Sequence, residues 1–559
     1  MLTTATERAD LLLTGARVRV GAGRWAEAVA VRAGRIAAVG TRADLEPLIG
    51  PDTRVVAASC GLVVPGFQDS HIHPPFAGRN RLRLWLNDLS GRQAYLDAIA
   101  EYARTHPDEP WIVGGGWAME YFPGGTPRKE DLDAIVPDRP VFLFNRDVHG
   151  AWVNSKTLEL AGITNETPDP ADGRIERDPA TGEATGTLHE GVAYRINEHV
   201  VPEPTHAEWE AAILNAQEYL HSLGLTGWQD AWVTPQTQAA YETLSAGGQL
   251  TARVAGALWW ERTRGLEQID ELFARREQAL KVRAAGHELG SGFHPTTVKI
   301  MTDGVLENHT GALFEPYCDG CGGHGDSRGL TYVEPELLAA ALVELDAHGF
   351  QVHMHAIGDR AVHNALNAVA AAKAANGPRA NRHHIAHIQV VRPDDIARFA
   401  ELDVVANCQA YWAQHEPQMD DLTIPFLGPE RARQQYPFAS LLRAGARLAM
   451  GSDWAVTTAD PLEQIEVAVT RIDPENRDNP SFLPDERLTL DQAFDAFTAG
   501  SAYVNHDSQG GRIEVGARAD LVLLDTDVFA DGFAAAGRTP VADARVQLTV
   551  AAGQVVYEA

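Results

Sequence analysis

The strongest chemical signal in the sequence is a pair of histidines two residues apart, His71 and His73, within the stretch VPGFQDSHIHP. An apolar run and a Pro-Gly pair precede them, which is typical of a strand bounded by a turn. Side chains two residues apart on a strand point to the same side, so the two imidazoles converge. Neutral imidazole nitrogen is a preferred ligand of zinc and similar divalent metals. The spacing therefore predicts two metal ligands at the C-terminal end of one strand.

Four later apolar runs carry further groups that can bind a metal or move a proton. Lys299 lies inside TVKIMTDG, His353 and His355 share one face of QVHMHAIGD, His387 ends HHIAH, and Asp453 follows LAMGS. Each group alone has a structural interpretation, such as an ion pair, a hydrogen-bonded core histidine or a helix cap. Because they fall in chain order on separate strand ends, a common site is favoured.

The elements that must position these groups alternate between strand-like runs and amphipathic helical stretches. Helical stretches include residues 207–222 and 335–348. The strand-like runs are residues 62–67, 225–230, 253–258, 297–301, 351–355, 384–389, 403–409 and 447–453. Eight strands alternating with helices predict an α/β fold, a (β/α)8 TIM-like barrel whose active site lies at the C-terminal ends of its strands.

Two further parts complete the predicted architecture. About 150 residues separate the first and second barrel strands, far more than an ordinary loop, so residues 78–202 are predicted to form an insertion that caps the active site. The strand-like run 140–144 is assigned to this insertion and left out of the barrel. Both chain ends are β-rich, which predicts a small β-sandwich from residues 1–63 and 505–559, with the barrel spanning residues 64–504.

Taken together, these motifs resemble the amidohydrolase superfamily, and within it the YtcJ-like metal-dependent amidohydrolases, the group that includes N-substituted formamide deformylase. The similarity runs from ADLLLTGARV through RPVFLFNRDVHGAWVNSKTLELAGI, HAIGDRAV and GSDW to GRIEVGARADLVLLD, and so covers essentially the whole chain. The resemblance implies hydrolysis of a carbon–nitrogen bond other than a peptide bond, in a small amide, formamide or cyclic amide.

The resemblance also implies roles for individual residues. The implied ligands of one or two divalent metal ions, expected to be zinc, are His71, His73, Lys299, His355, His387 and Asp453. Lys299 matches a lysine that is often carboxylated and bridges two metals, and Asp453 matches the aspartate that also moves the proton. A metal ion lowers the pKa of a bound water toward about 7 and so supplies hydroxide. His353 stays open as an alternative to His355.

A second group of residues is expected to meet the substrate: Trp117, His149, Glu190, Gln409 and Trp454. His149 is also a candidate catalytic residue that contacts the substrate or the oxyanion, with a structural histidine that docks the cap as the open alternative. Trp117 could simply pack, and Gln409 could make a hydrogen bond within the core. Cys318 and Cys321, with His309 and His324 nearby, leave a separate zinc site open, although a substrate loop with free thiols is favoured.

Composition narrows the partners and the compartment. The formal net charge is 47 − 76 = −29, which disfavours binding to nucleic acid and to anionic membranes. The sequence contains no apolar run of about 18 residues and no secretory signal, so we expect no membrane association. Four cysteines in 559 residues indicate a reducing compartment, the cytoplasm. The expected partner is a small-molecule substrate, and a homodimer is left open.

Two other functions compete with amide hydrolysis. The same metal site could serve decarboxylation, deamination or ester hydrolysis. The chain could also be a regulatory or scaffold relative that retains the barrel without activity. Intact ligands at all six positions argue against a scaffold, because a scaffold needs neither a lysine nor an aspartate facing buried metal.

Overall fold

A near-closed sheet of eight parallel strands forms the centre of the molecule, as the alternating pattern predicts. The computed structural model describes residues 8–283, 290–318, 325–530 and 540–559. Neighbours in the sheet follow one another along the chain, which is the order of a (β/α)8 barrel. The barrel strands are Phe67–Ile72, Leu225–Val233, Arg253–Trp259, Gly292–Met301, Gln351–Ala356, His384–His387, Val405–Cys408 and Leu448–Met450.

The seam between the last and first strands is held by the residues of the two strongest motifs. The Asp453 N–H donates to the His71 carbonyl at 2.8 Å, and the His73 N–H donates to the Trp454 carbonyl at 2.8 Å. A Cβ on Gly451 would lie 2.6 Å from the His71 nitrogen, so this close approach requires glycine. The seam therefore places Asp453 beside the histidine pair.

The prediction for the first barrel strand was wrong in its bounds. Residues 62–67 join the end of one strand to the start of another. Leu62–Pro65 pairs with strands from both chain ends, and the barrel strand begins only at Phe67. The intervening Gly66 turns the chain, and its N–H donates to the Asp520 carbonyl at 2.9 Å. A continuous apolar run hid this break, because both strands are buried.

Helices cover the outside of the barrel and present their apolar residues to it. Thr205 begins one of them with a reciprocal capping box to Glu208, and proline stands in the first turn of several others. None of the described helices is both long and apolar enough to cross a bilayer. The helices from residue 206 onward are His206–Ser222, Pro235–Ala246, Ile269–Arg283, Pro335–Ala347, Asp359–Asn376, Pro393–Leu402, Ile424–Ala432, Phe438–Arg443, Pro461–Thr470, Leu490–Asp495 and Ser501–Val504.

The segment between the first two barrel strands folds around a six-stranded sheet of its own. The strand-like run 140–144 lies here, as Val141–Asn145. The strands are Leu84–Trp85, Ile112–Trp117, Val141–Asn145, Gly150–Val153, Gly173–Arg177 and Ala184–Glu190. The helices are Pro74–Arg81, Arg92–Thr105, Lys129–Asp133, Ser155–Leu160 and Gly191–His199.

The two chain ends share an additional sheet of eight strands. It is one continuous hydrogen-bonded sheet, and the register of its first strand shifts between Thr14 and Val18. Gly15 lies in this shift with φ 86°, where a Cβ would lie 2.0 Å from the Ala58 carbonyl oxygen. Side chains from both ends of the chain, such as Leu13 and Leu521, share one apolar cluster. The strands are Leu11–Gly21, Arg24–Arg32, Arg35–Gly40, Arg54–Ala57, Leu62–Pro65, Leu521–Leu524, Val546–Ala551 and Gln554–Glu558.

Candidate active site

Three side chains from distant parts of the sequence meet at the C-terminal end of the barrel. One ligand atom from each of His71, His387 and Asp453 lies within 4.8 Å of the others. Asp453 Oδ1 is 2.9 Å from His73 Nε2 and 3.3 Å from His71 Nε2. Asp453 Oδ1 and His387 Nδ1 are both buried, and neither atom makes a hydrogen bond of standard geometry with the described residues. Converging nitrogen and oxygen donors without partners fit a divalent metal ion.

Lys299 and His355 face the same small cavity of about 50 Å³, which all six implied ligands line. The His355 ring centroid is 4.4 Å from that of His387, and His355 Nε2 lies 3.1 Å from the Gly304 carbonyl oxygen. Lys299 is only 1% exposed. Burial lowers the pKa of its amine to about 7, so that a substantial fraction is neutral at physiological pH.

The alternative ligand His353 does not line this cavity, because both of its ring nitrogens are engaged elsewhere. Its Nε2 lies 2.7 Å from His71 Nδ1, and its Nδ1 lies 2.7 Å from Gln229 Oε1. Gln351 orients the Gln229 amide by accepting from its Nε2 at 3.0 Å, while donating to two backbone carbonyls. Gln229 Oε1 can therefore only accept, so His353 Nδ1 donates to it.

This chain of hydrogen bonds sets the tautomer of His71. Because His353 Nδ1 carries the proton, its Nε2 accepts from His71 Nδ1, which leaves His71 Nε2 unprotonated and directed at Asp453. Burial, then the Lys299 charge, holds the pKa of His71 well below its ordinary value. Sequence reasoning missed Gln229 as a support. Its only signal was a polar side chain inside the apolar run LTGWQDAWV.

His149 and Glu190 form a buried pair that reaches the cavity from the inserted segment. His149 Nδ1 lies 3.0 Å from both carboxylate oxygens of Glu190, which also accepts the Thr310 hydroxyl at 2.7 Å. Burial alone would lower the pKa of His149, but the adjacent carboxylate outweighs it and raises the pKa to about 9. His149 lines the cavity, and its Nε2 makes no hydrogen bond to any described residue. Glu190 therefore holds His149 in its charged form.

The other expected substrate contacts lie elsewhere. Trp117 is buried inside the inserted segment, where its indole N–H donates to the Leu143 carbonyl at 2.9 Å, and it lines neither this cavity nor its neighbour. Gln409 Oε1 accepts the backbone N–H of His387 at 2.7 Å and so supports a ligand. Trp454 lines an adjacent cavity of about 570 Å³.

Several aromatic side chains that the sequence did not single out also line the small cavity. Trp412 stacks on the imidazole of His387, with ring centroids 5.2 Å apart and an interplanar angle of 3°. The other rings are Phe76, Tyr194, Trp232 and Trp259. Trp259 is the last residue of the third barrel strand and Trp232 the second-to-last of the second, which was the available signal. Together the rings limit the access of water to the ligands.

The suggested second zinc site is only partly within the described residues, since Cys321 and His324 lie outside them. His309 packs against the rings of Tyr317 and Phe426, with centroids 5.0 and 4.5 Å away. Cys318 is buried, and Arg431 Nη2 lies 3.8 Å from its sulfur.

Three curated proteins resemble the chain over nearly its full length. Protein LONG AFTER FAR-RED 3 of Arabidopsis thaliana is 32% identical, covering 93% of this chain and 88% of its own. A Bacillus subtilis protein named as amidohydrolase YtcJ is 31% identical, covering 95% and 96%. N-substituted formamide deformylase of Arthrobacter pascens is 28% identical, covering 93% and 94%.

A solved structure and a family model agree with these relatives. The crystal structure of an uncharacterised metal-dependent hydrolase from Pyrococcus furiosus superimposes with a TM-score of 0.69 and 25% identity, covering 92% of this chain and 99% of its own. The model described as "Amidohydrolase family" matches residues 54–557. The extent of the match, the barrel and the convergent ligand set show that the chain belongs to the amidohydrolase family.

Proposed function

We propose that this protein is a metal-dependent hydrolase that cleaves the carbon–nitrogen bond of a small non-peptide amide, and that a formamide is the favoured type. One observation carries the proposal: six convergent ligand groups and the charged His149 line a single cavity of only about 50 Å³. A cavity of this size favours a small acyl group such as formyl. The similarity to N-substituted formamide deformylase supports the same substrate type.

The donor set fits one or two divalent ions, for which we propose zinc. His71, His73, His387 and Asp453 would hold one ion, and Lys299 with His355 would help to hold a second. Burial favours the neutral amine of Lys299, the form that captures carbon dioxide as a carbamate, and such a carbamate would supply anionic oxygen ligands for the ions. When bound, the ions polarise the amide carbonyl and acidify water.

The protein's own residues would then direct the proton and the developing charge. Asp453 accepts the proton of the attacking water and returns it to the leaving nitrogen. His149 donates a hydrogen bond to the carbonyl oxygen as that oxygen becomes anionic, and Glu190 keeps His149 oriented and charged. Phe76, Trp232 and Trp412 surround the reacting bond and reduce the water around it.

The test is metal analysis together with a substrate panel. N-formyl amines, longer N-acyl amines and cyclic amides would be compared with esters, aromatic amines and carboxylic acids on the zinc-loaded protein. Turnover of the formyl amines above all others is the expected result. Preferred turnover of an ester, an aromatic amine or a carboxylic acid would mean that the same site catalyses ester hydrolysis, deamination or decarboxylation instead. Metal binding without turnover of any compound would favour a regulatory relative.

The Lys299 carbamate has a direct test of its own. Mass analysis of the native protein should show one added carbon dioxide, which is absent from Lys299→Ala. That variant should also bind less metal, and short carboxylic acids should restore part of the activity by filling the vacated bridge. An unmodified lysine in fully active protein would mean a site without the bridge.

A further inference from the structure

A second and larger cavity lies directly beside the catalytic one. It has a volume of about 570 Å³, and Asp147, Val305, Trp412 and Val456 line both cavities. The two cavities therefore share a wall, and a substrate whose amide lies among the metal ligands would extend toward the larger one. We call this cavity the acidic vestibule, defined by Glu120, Arg146, Gln414 and Glu416 among its lining residues.

The acidic vestibule is far more acidic than the chain as a whole. Of the described residues that line it, eight are Asp or Glu and one is Arg, a formal charge of 1 − 8 = −7. The whole chain has 76 acidic residues against 47 basic ones, a much smaller imbalance. Arg146 Nη1 lies 3.8 Å from Glu120 Oε1, so the one lining cation is already shared with a carboxylate.

Two buried acceptor atoms on residues that line the acidic vestibule have no hydrogen-bond partner among the described residues. Gln414 is 1% exposed and its Oε1 has no hydrogen-bond partner. Glu120 is half-buried, and its Oε2 atom is buried and also lacks a partner. Burial raises the pKa of Glu416 to about 8. Arg146 lowers this pKa in part, whereas repulsion from Glu120 and Glu307 raises it further. A donor that carries positive charge would satisfy these oxygens and relieve the repulsion between the carboxylates.

Aromatic rings complete a lining that suits an organic cation. Trp412, Tyr121, Tyr411 and Trp454 are among the rings that line the acidic vestibule. A neighbouring guanidinium, that of Arg81, already lies 4.2 Å from the centroid of the Tyr219 ring, a cation–π contact at the cavity wall. Aromatic faces next to carboxylates attract ammonium and guanidinium groups while excluding anions.

We propose that the acidic vestibule selects amide substrates that carry an ammonium or guanidinium group at a distance from the bond that is hydrolysed. This specificity rests on the proposed amide hydrolysis. The amide lies at the metal ligands, the chain of the substrate passes Trp412 and Asp147, and the cation lies among Glu120, Gln414 and Glu416. The unpartnered acceptors, the charge imbalance and the lining residues that the two cavities share all support this arrangement.

The test compares three N-formyl amines of equal chain length on the zinc-loaded protein: one ending in an ammonium, one in a hydroxyl and one in a carboxylate. The ammonium compound should have a kcat/KM about tenfold or more above the hydroxyl compound. The carboxylate compound should be the poorest, and added salt should narrow the differences. Calorimetry should show that the parent diamine binds more tightly than the parent amino alcohol.

Charge-neutral variants locate the effect. Glu120→Gln and Glu416→Gln should each lower the kcat/KM of the ammonium compound relative to that of the hydroxyl compound. The exposed Glu336→Gln removes a carboxylate from a barrel helix outside the acidic vestibule's lining and should leave this ratio unchanged. Equal kcat/KM for the ammonium and hydroxyl compounds on the wild-type protein would overturn the proposed specificity while leaving amide hydrolysis intact. Loss of turnover for all three compounds would instead contradict the proposed function.

Discussion

Asp453 occupies the position on which the proposed chemistry depends. Its carboxylate lies within 3.3 Å of nitrogens from both His71 and His73, and its backbone N–H helps to close the barrel. The same residue therefore serves the seam through its main chain and the reaction through its side chain. A substitution that keeps the shape of the side chain separates these two contributions.

Asp453→Asn should keep the fold and at least one metal ion but lose turnover by about 10²–10⁴-fold, because an amide cannot accept the proton of water at neutral pH. Steady-state kinetics with metal analysis and circular dichroism measure this. Asp394→Asn, at a carboxylate on the exposed surface, is the matched control. Near wild-type turnover in Asp453→Asn would show that another group is the base.

His149 permits a similar separation of catalysis from structure. His149→Ala should lower kcat by about 10²–10³-fold with a smaller effect on KM, because the lost hydrogen bond is strongest when the carbonyl oxygen is anionic. Metal content should stay at the wild-type value, because His149 is paired with Glu190 and lies outside the ligand set. Normal kinetics together with a lower melting temperature would instead identify His149 as a residue that docks the inserted segment.

At the scale of elements, the barrel strands supply a hydrogen-bonded layer beneath the ligands. His71 on the first strand connects to His353 on the fifth, and His353 connects to Gln229 on the second. His384 on the sixth strand also lies 3.0 Å from Gln229 Oε1. Because the strands are fixed by the sheet, this layer holds the His71 ring in one orientation and one tautomer.

His353→Phe should weaken metal binding by about 10–100-fold while leaving all six ligands in place, because the Nδ1 proton of His71 then has no acceptor. Competition with a metal chelator measures the affinity. Trp117→Phe is the control, since it removes one buried hydrogen bond from the inserted segment and should cost about 1 kcal/mol of stability without changing metal affinity. Unchanged metal affinity in His353→Phe would make His353 a packing residue only.

The elements also show which parts of the site could be predicted from the sequence. The motifs at strand ends predicted the barrel and six side chains that can bind a metal ion. This was possible because spacing along a strand determines the face to which each side chain points. The local sequence could not distinguish His353 from His355 as the ligand, because both lie on the same face of the strand. The difference comes from Gln229 on another strand, which forms a hydrogen bond with His353. Trp117 shows the same limit, because its burial depends on how the inserted strands pair.

The acidic vestibule was beyond prediction for a related reason. Glu120 and Arg146 come from the inserted segment, whereas Gln414 and Glu416 follow the seventh barrel strand. No spacing rule connects these loops, so their acidity is visible only after the segments pack. The break between two strands at Gly66 was also missed, because both strands are buried and their residues form one continuous apolar run in the sequence.

At the scale of the whole molecule, a buried charge network joins the terminal sheet to the barrel. Asp507 accepts from Gln68 on the first barrel strand at 2.7 Å and pairs with Arg518, whose Nε also donates to Asp520 at 2.7 Å. Burial alone would raise the pKa of Asp507, but Arg518 and Arg253 outweigh it and hold the pKa below its ordinary value. Ionised Asp507 therefore stabilises the folded state.

Asp507→Asn should lower the free energy of unfolding by about 3–5 kcal/mol at neutral pH, since it leaves Arg518 with one buried partner fewer. Because the folded-state pKa is depressed, this stabilisation is full above the ordinary carboxyl pKa of 3.8 and declines as the pH falls below it. Urea unfolding at neutral and acidic pH should show the difference between variant and wild type narrowing in acid. A difference that is constant with pH would mean that packing, rather than charge, is responsible.

The central claim is that His71, His73, Lys299, His355, His387 and Asp453 form one metal site that hydrolyses an amide. The most direct measurement is to strip the full-length protein with a chelator, add zinc back stepwise, and follow bound metal and formyl-amine hydrolysis together. Turnover should be absent without metal and should rise in proportion to bound zinc until one or two equivalents are reached. Full turnover in the stripped protein, or zinc binding below one equivalent in protein that is fully active, would contradict the claim.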